Sequence, residues 1–395
     1  MPRNPDKTDY SQGFPAGFRS FEMIKDPRSG GNTLHHFGEI IFVAFTCILC
    51  GVKSYELMQE FCEIRLKWFR KWITLPNGVP CDNTFARVFE AIDPELFSQC
   101  IIHHLQQAGV ILTDEQIAID GKALRGSRHG GESHIHAVSA WACAGGITLA
   151  QCFVGDKSNE ITAIPELLEM LNLQGAVVTI DAMGTQREIA TRIVEKHGDY
   201  ILCVKGNQGN LHKEISDHFE FAARQLGREK LDPANWSHAE TLARSHGRNE
   251  RRQTIACHYL GWMDADIRGA WTGLETLIMV SRDRDHGGPK SQVEIHYYIT
   301  SLKDEKAGQL QTYIRNHWAI ENSCHWVLDT LFREDHNQTR QKNGAKNHST
   351  MRRIAHNTLK RAPDHSKRKR PSSLPKKQLR AAQDETYLEQ CLSLV

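Results

Sequence analysis

Two aspartates close short apolar runs, Asp120 in EQIAID and Asp181 in GAVVTID. Further acids lie in RNHWAIENSCHWVLDTLFREDH, from Arg315 to His336, which carries Glu321, Asp329, Glu334 and Asp335 beside three histidines and two tryptophans. An acid just past a buried strand stands at the carboxyl edge of a sheet, where open α/β folds place their ligands. Two such acids on neighbouring strands make a weak site for a hard divalent cation, so a third carboxylate is needed.

The Arg315–His336 stretch has helical periodicity. With Glu321 taken as zero on an ideal helix, Ile314, Ile320, Cys324, Val327, Leu328, Leu331 and Phe332 fall in an arc from about 240° round to 20°. Glu321 lies inside that arc, and Asp335 faces it near about 320° if the helix lasts that far. Asp329 sits at the margin, near about 80°, and Glu334 outside, near about 220°. A carboxylate facing the core needs a partner, either a metal or an arginine. Glu321 and Asp335 are about 21 Å apart along the axis and cannot share one site, so periodicity leaves both in contention. A rival set is His317, Glu321 and His325, spaced i, i+4, i+8, which would suit zinc but lacks the HExxH pattern. Trp318 and Trp326 are expected to pack in the core, although either could stack on an unpaired base.

Cations gather around the same elements. Lys122, Arg125 and Arg128 follow Asp120, Lys205 follows the strand after Asp181, and Arg315 and His317 precede Glu321. Several cations converging on one acid-lined edge fit a polyanion held by charge.

The elements that must position these residues follow from the pattern. EIIFVAFTCILCG predicts a core helix, and SYELMQEFCEIRLKWFRKWI a second one capped by Ser54. DNTFARVFEAIDPELFSQCIIHHL predicts two more helices, the first capped by Asp82 or Asn83. HIHAVSAWACAGGITLAQCFVG predicts a hairpin turning at Gly145-Gly146. AIPELLEMLN, TQREIATRIVEKHG (closed by Gly198) and DYILCVKGN then alternate helix, helix and strand around GAVVTID, an α/β rhythm. From residue 212 to about 300 the rhythm breaks into a mostly β insertion, with ARSHGRNERR as a charged loop between strands. The expected organisation is a helical N-terminal domain over 1–110 and an α/β catalytic domain over 111–360. A basic tail, solvated or in contact with nucleic acid, follows over 361–395.

Composition bounds the class. The chain has 395 residues, 40% hydrophobic, with a net charge of only +2, so charge distribution says more than charge balance. Eight Lys/Arg against one acid fall between Arg361 and Arg380. The 11 cysteines show no repeated metal spacing, and Cys47 and Cys50 sit in an apolar run as small core residues. The apolar run Ile40–Val52 is too short to span a membrane. Without a secretory signal, a soluble cytoplasmic protein with free thiols is expected, associated with the nucleoid if nucleic acid is its partner.

Taken in order, IAIDGKALRGS, VVTIDAMGTQ, YILCVKGNQ and RNHWAIENSCHWVLDTLFRED resemble bacterial insertion-sequence transposases of the DDE class, nearest to the H-repeat-associated group linked to Rhs elements. The resemblance runs from KDPR near residue 25 to LRAAQDETYLEQCL at the C-terminus. It implies an RNase H-like core in which Asp120, Asp181 and Glu321 bind two divalent ions, Mg²⁺ or Mn²⁺, at an all-oxygen site, and it prefers Glu321 to Asp335. It also implies a β insertion before the glutamate, cleavage at element ends with strand transfer into target DNA, and an N-terminal domain on the inverted repeats. Because two ends are joined, a homodimer on double-stranded DNA is expected. The wider group carries an arginine four residues before the glutamate and a lysine seven after; here those places hold His317 and Leu328, with Arg315 nearby. Lys122, Arg125, Lys205, Arg315 and His317 are then the candidate DNA contacts. A nuclease without strand transfer, and a silent DNA-binding protein of the same fold, are the alternatives.

Overall fold

A computed structural model describes residues 14, 18, 21, 24–28, 33–107, 115–128, 133–155, 160–225, 231–245, 248–285, 292–366 and 371–394. The chain is mixed α/β, with a helical N-terminal region beside a large central sheet.

The N-terminal helices are α1 (Phe37–Leu49), α2 (Tyr55–Ile64), the short α3 (Leu66–Phe69), α4 (Asp82–Ala91) and α5 (Pro94–Gln107). Nearly every residue of α1 is buried, which explains its unbroken apolar run, and Cys47 and Cys50 lie in that core as expected. Ser54 caps α2 by accepting the Leu57 amide at 3.3 Å. The cap of α4 falls instead on Cys81, and Asp82 is already inside the helix. Of the basic stretch expected to be solvated or in contact with nucleic acid, residues 367–370 lie outside the described residues, and the chain is folded beyond residue 373. It forms α13 (Leu374–Gln383) and α14 (Glu385–Leu392), whose Ala381, Leu388 and Cys391 are buried. These helices close the N-terminal bundle: Trp68 donates its indole N–H to Glu389 at 3.1 Å, and Arg65 donates to the Ala382 carbonyl.

Among the described residues nine strands form one sheet in the order β3-β2-β1-β4-β5-β9-β8-β7-β6. Its first half is β1 (Gln116–Leu124), the hairpin β2 (Ile135–Ala142) and β3 (Ile147–Val154), β4 (Val177–Ile180) and β5 (Asp199–Val204). Only β1, β4 and β5 run parallel, and their paired stretches Ile117–Ile119, Val177–Ile180 and Tyr200–Leu202 are buried and mostly apolar, as two covered faces require. The hairpin turns at Gly146, whose φ of +63° suits glycine. Helices α6 (Glu160–Glu169) and α7 (Arg187–Glu195) make the crossovers. The expected stop at Gly198 is displaced by one residue, since His197 takes the left-handed conformation.

The second half follows α8 (Gly209–Gln225): β6 (Trp236–Ser245), β7 (Arg248–Cys257), β8 (Thr276–Asp285) and β9 (Gln292–Thr300), with the short α9 (Ala265–Gly269) between β7 and β8. These antiparallel strands join the sheet through β9 against β5, so the β segment extends the sheet. Most of ARSHGRNERR is strand, paired from Ala243↔Glu250 to Ser245↔Arg248, and residues 246–247 between the two strands lie outside the described residues.

The expected single helix is three pieces: α10 (Ala307–His317), a π-helical turn (Ile320–His325) and α11 (Trp326–Thr330). Arg333, at φ 55°, then turns the chain into a 3₁₀ turn, Glu334–His336. A further helix, α12 (Gly344–Arg361), had no counterpart in the sequence reading. It is almost wholly buried between the helical bundle and the sheet, where Asn357 exchanges two hydrogen bonds with the Thr148 backbone at 2.9 and 2.8 Å. No helix among the described residues is long and apolar enough to cross a membrane.

Candidate active site

Parallel pairing of β1 with β4 sets Ile119 beside Ile180, so Asp120 and Asp181 occupy the next level of adjacent strands. Strands lie about 4.8 Å apart, which brings the two carboxylates to one edge. Asp181 ends its strand in a turn, where its Oδ1 accepts the Met183 amide at 3.1 Å. β1 continues past Asp120 to Leu124, longer than its apolar run suggests.

The π turn supplies the third carboxylate. Such turns add a residue to the helical repeat and often occur at functional sites. Here the insertion shifts the phase on which the helical wheel depends. Glu321 is therefore exposed, with 55% of its side chain accessible, and His325 is buried beside it. His325 Nδ1 lies 3.6 Å from Asp120 Oδ2 and 3.5 Å from Glu321 Oε2. Asp120, Asp181 and Glu321 all line one cleft of about 600 Å³. Burial pushes the Asp120 carboxyl up to about 6, opposed by His325 and reinforced by the charges of Asp181 and Glu321. Glu321 is held below its ordinary value, first by the approach of His325 Nδ1 to its carboxylate.

The other acids of the stretch are used elsewhere. Lys122, two residues after Asp120, is buried, and its ammonium lies 2.8 Å from Asp329, 2.8 Å from Asp335 and 3.6 Å from Glu334. Burial alone would lower its pKa, but the three acids outweigh it and raise it. Glu334 is buried and also pairs with Arg353 at 3.0 Å, reversing its expected place off the apolar face. It lies beyond the helix that the wheel assumed. Asp335 is claimed by Lys122 and, at 3.5 Å, by Arg125, and it does not line the cleft. Gly126 lets this junction close, since a Cβ there would collide with the Asn337 carbonyl.

The remaining sequence candidates divide. Lys205 lines the cleft and is exposed, and Arg315 lies on an adjoining recess. Arg125 is exposed at the Lys122 cluster, outside the residues lining the cleft. His317 lines the cleft, but its Nδ1 meets the Thr179 hydroxyl at 3.0 Å. Burial lowers its pKa to about 4, so it is neutral at pH 7 and bears no charge for a phosphate. The zinc alternative loses its alignment, because the ligand atoms that converge belong to Asp120, Glu321 and His325. Trp318 and Trp326 are exposed, at 52% and 63%, contrary to the packing expected of them; both lie off the apolar arc.

The cleft also has a wall that sequence reading missed. Arg252 on β7 and Arg282 on β8 are cross-strand partners, and both line the cleft with Glu294 of β9. Glu250 binds Arg252 at 2.7 Å and approaches Arg282 at 3.8 Å, holding two guanidiniums side by side. The signal for this pair is register across residues thirty apart in sequence, which no local pattern carries.

A carboxylate cluster at the end of parallel strands, walled by cations from an antiparallel extension, defines a protein equipped to hold a hard cation close to a polyanion. Comparison with known proteins narrows the class. Residues 112–358 match the family described as Transposase DDE domain, and residues 18–105 match its associated N-terminal family, DDE_Tnp_1-associated. The chain belongs to the DDE-domain transposase family. It is 36% identical over 375 residues to "Putative transposase YncI" of Escherichia coli O157:H7, covering 94% of this chain and 93% of that one. It is 34% identical over 376 residues to "H repeat-associated putative transposase YhhI" of Escherichia coli K12, covering 94% and 96%. Among solved structures, a piggyBac transposase synaptic complex with hairpin DNA superposes with a TM-score of 0.44 at 10% identity, over 100% of this chain and 83% of that one. That likeness is too low for any inference.

Proposed function

We propose that this protein is a DNA transposase that cleaves at the ends of an insertion element and joins the resulting 3′-ends to target DNA. The observation that carries the reading is the convergence of Asp120, Asp181 and Glu321 on one cleft, in a chain of the transposase family. Strands β1, β4 and β5 with their flanking strands and helices are read as an RNase H-like core, and β6–β9 as its insertion.

The residues fit divalent cations: acceptor-only carboxylates converge, and burial together with the neighbouring acids raises Asp120 in the absence of a counter-charge. Asp120, Asp181 and Glu321 would hold Mg²⁺ or Mn²⁺, two ions in the proposed site. When bound, these supply Lewis-acid activation of a water or 3′-hydroxyl and stabilise the leaving oxygen of an in-line displacement at phosphorus. The chain's own groups do the positioning. Lys205, Arg252 and Arg282 line the wall where a phosphate backbone would lie, and Arg315 extends the charge along the adjoining recess. Exposed Trp318 at the cleft's rim offers a flat face to an unpaired base. The N-terminal region, with helices α1–α5, is assigned to the inverted repeats, and joining two ends calls for a homodimer.

The test is a strand-transfer assay on linear DNA carrying the inverted repeats that flank the gene, with a supercoiled plasmid as target. With Mg²⁺ or Mn²⁺ the expected products are nicks at the element ends and joined molecules. Cleavage without joining would reduce the protein to a nuclease. Binding without cleavage would make it a silent member of the family.

A further inference from the structure

We propose that His325 supplies a nitrogen ligand to the divalent-metal site, so that one ion is held by Asp120, Glu321 and His325 Nδ1 in a mixed oxygen–nitrogen set. The inference rests on reading the acid edge as a metal site, and it changes that site from all oxygen.

Three observations carry it. One ligand atom from each of Asp120, Glu321 and His325 can be chosen so that all lie within 4.8 Å of one another. Nδ1 sits 3.6 and 3.5 Å from the two carboxylate oxygens, longer than a good N–H···O bond. Donors at neighbouring corners around a small cation are spaced at about 3 Å, given metal–ligand distances of roughly 2.1 Å. The ring is buried, and its Nε2 has no hydrogen-bond partner. No hydrogen bond elsewhere in the core therefore aims the ring, and Nδ1 alone gives it a polar direction.

Glu321 and His325 stand four residues apart within the π turn, with His325 Nδ1 between the Glu321 and Asp120 carboxylates. His317, the other histidine of the cleft, is occupied differently, because its Nδ1 faces Thr179. An imidazole ligand favours Mn²⁺ over Mg²⁺ relative to carboxylates alone, since Mg²⁺ is the harder ion. The intended metal preference of the site is thus set by a residue outside the three acids.

Pulsed EPR on the full chain loaded with Mn²⁺ tests this without recourse to activity. The wild type is expected to show ¹⁴N coupling from one directly bound imidazole. His325→Gln should abolish that coupling and weaken Mn²⁺ binding roughly tenfold or more, with a smaller effect on Mg²⁺. Bound Mn²⁺ without ¹⁴N coupling in the wild type, or coupling that survives His325→Gln, overturns the proposal. Glu321→Gln and Asp120→Asn separate the two levels. If both leave Mn²⁺ binding unchanged, or if the wild type binds none at millimolar metal, the carboxylate site itself is wrong. If both weaken binding while His325→Gln does not, only the histidine ligand is wrong.

Discussion

Replacing Glu334 by glutamine is expected to cost the folded chain roughly 3–5 kcal/mol, because it strands a buried cation. Arg353 is fully buried, lies 3.0 Å from Glu334, and has Ser139 and Ser349 as its remaining side-chain partners. Lys122 lies 3.6 Å from the same carboxylate, so one change removes a shared counter-charge. Chemical denaturation of wild type and variant measures the loss, seen as a fall in midpoint at unchanged slope. The double variant Glu334→Leu/Arg353→Met should lose less than the two single changes together, because no charge is then left unpaired. The same group predicts an acid limit. Burial raises Glu334, but Arg353, Lys122 and Arg352 outweigh it and hold its pKa at about 2, against 4.5 ordinarily. A carboxyl depressed in the folded state contributes stability above its unfolded pKa and loses it as pH falls through the folded one. Stability should therefore drop between about pH 4.5 and 2, and the Glu334→Gln variant should lack that component.

Asp120→Asn is expected to abolish DNA cleavage, by about 10³-fold or more, and at the same time to stabilise the metal-free protein. Loss of a carboxylate proposed to hold metal should remove about 4 kcal/mol or more of barrier lowering. Stability moves the other way because Asp120 is raised to about 6 from 3.8 by burial and by its acidic neighbours. An acid raised in the folded state carries no penalty below its unfolded pKa. The penalty grows between about 3.8 and 6 and is complete above that, reaching roughly 2–3 kcal/mol at pH 7. The amide never ionises, so the variant should melt a few degrees higher at pH 7, with the gain vanishing at pH 4. Millimolar Mg²⁺ should raise the wild-type melting temperature and leave the variant's unchanged. Thermal melts at the two pH values, with and without metal, read all of these outcomes.

The acid-lined edge was legible because buried parallel strands are written as apolar runs, and an acid ending such a run is conspicuous. That is how Asp120 and Asp181 emerge without a fold. The choice of Glu321 over Asp335 came from family resemblance, because helical phase could not decide it. The structure shows why phase failed: a π turn at Ile320–His325 and the left-handed Arg333 break the regular helix that the wheel assumes. Expected inside the apolar arc, Glu321 is exposed, whereas Glu334, expected outside it, is buried. Lys122, placed beside Asp120 as a phosphate contact, is instead enclosed by three acids contributed from more than two hundred residues away. Helix α12 was invisible for a related reason. It is buried all round, with Asn347, His348, Arg352, Arg353, His356 and Asn357 interleaved among Met351, Ile354 and Leu359, so no polar face sets off its short apolar stripe. The Arg252–Arg282 wall depends on strand register alone.

The central claim is that Glu321, exposed on the π turn beside Asp120, completes the metal-holding edge and that Asp335 does not. The direct measurement is Mg²⁺-dependent cleavage of DNA carrying the flanking inverted repeats by wild type, Glu321→Gln and Asp335→Asn, each checked for folding by its thermal melt. Wild type should cut at the element ends, Glu321→Gln should show no cleavage above background, and folded Asp335→Asn should retain cutting. Cleavage that survives Glu321→Gln but disappears in a folded Asp335→Asn would contradict the account.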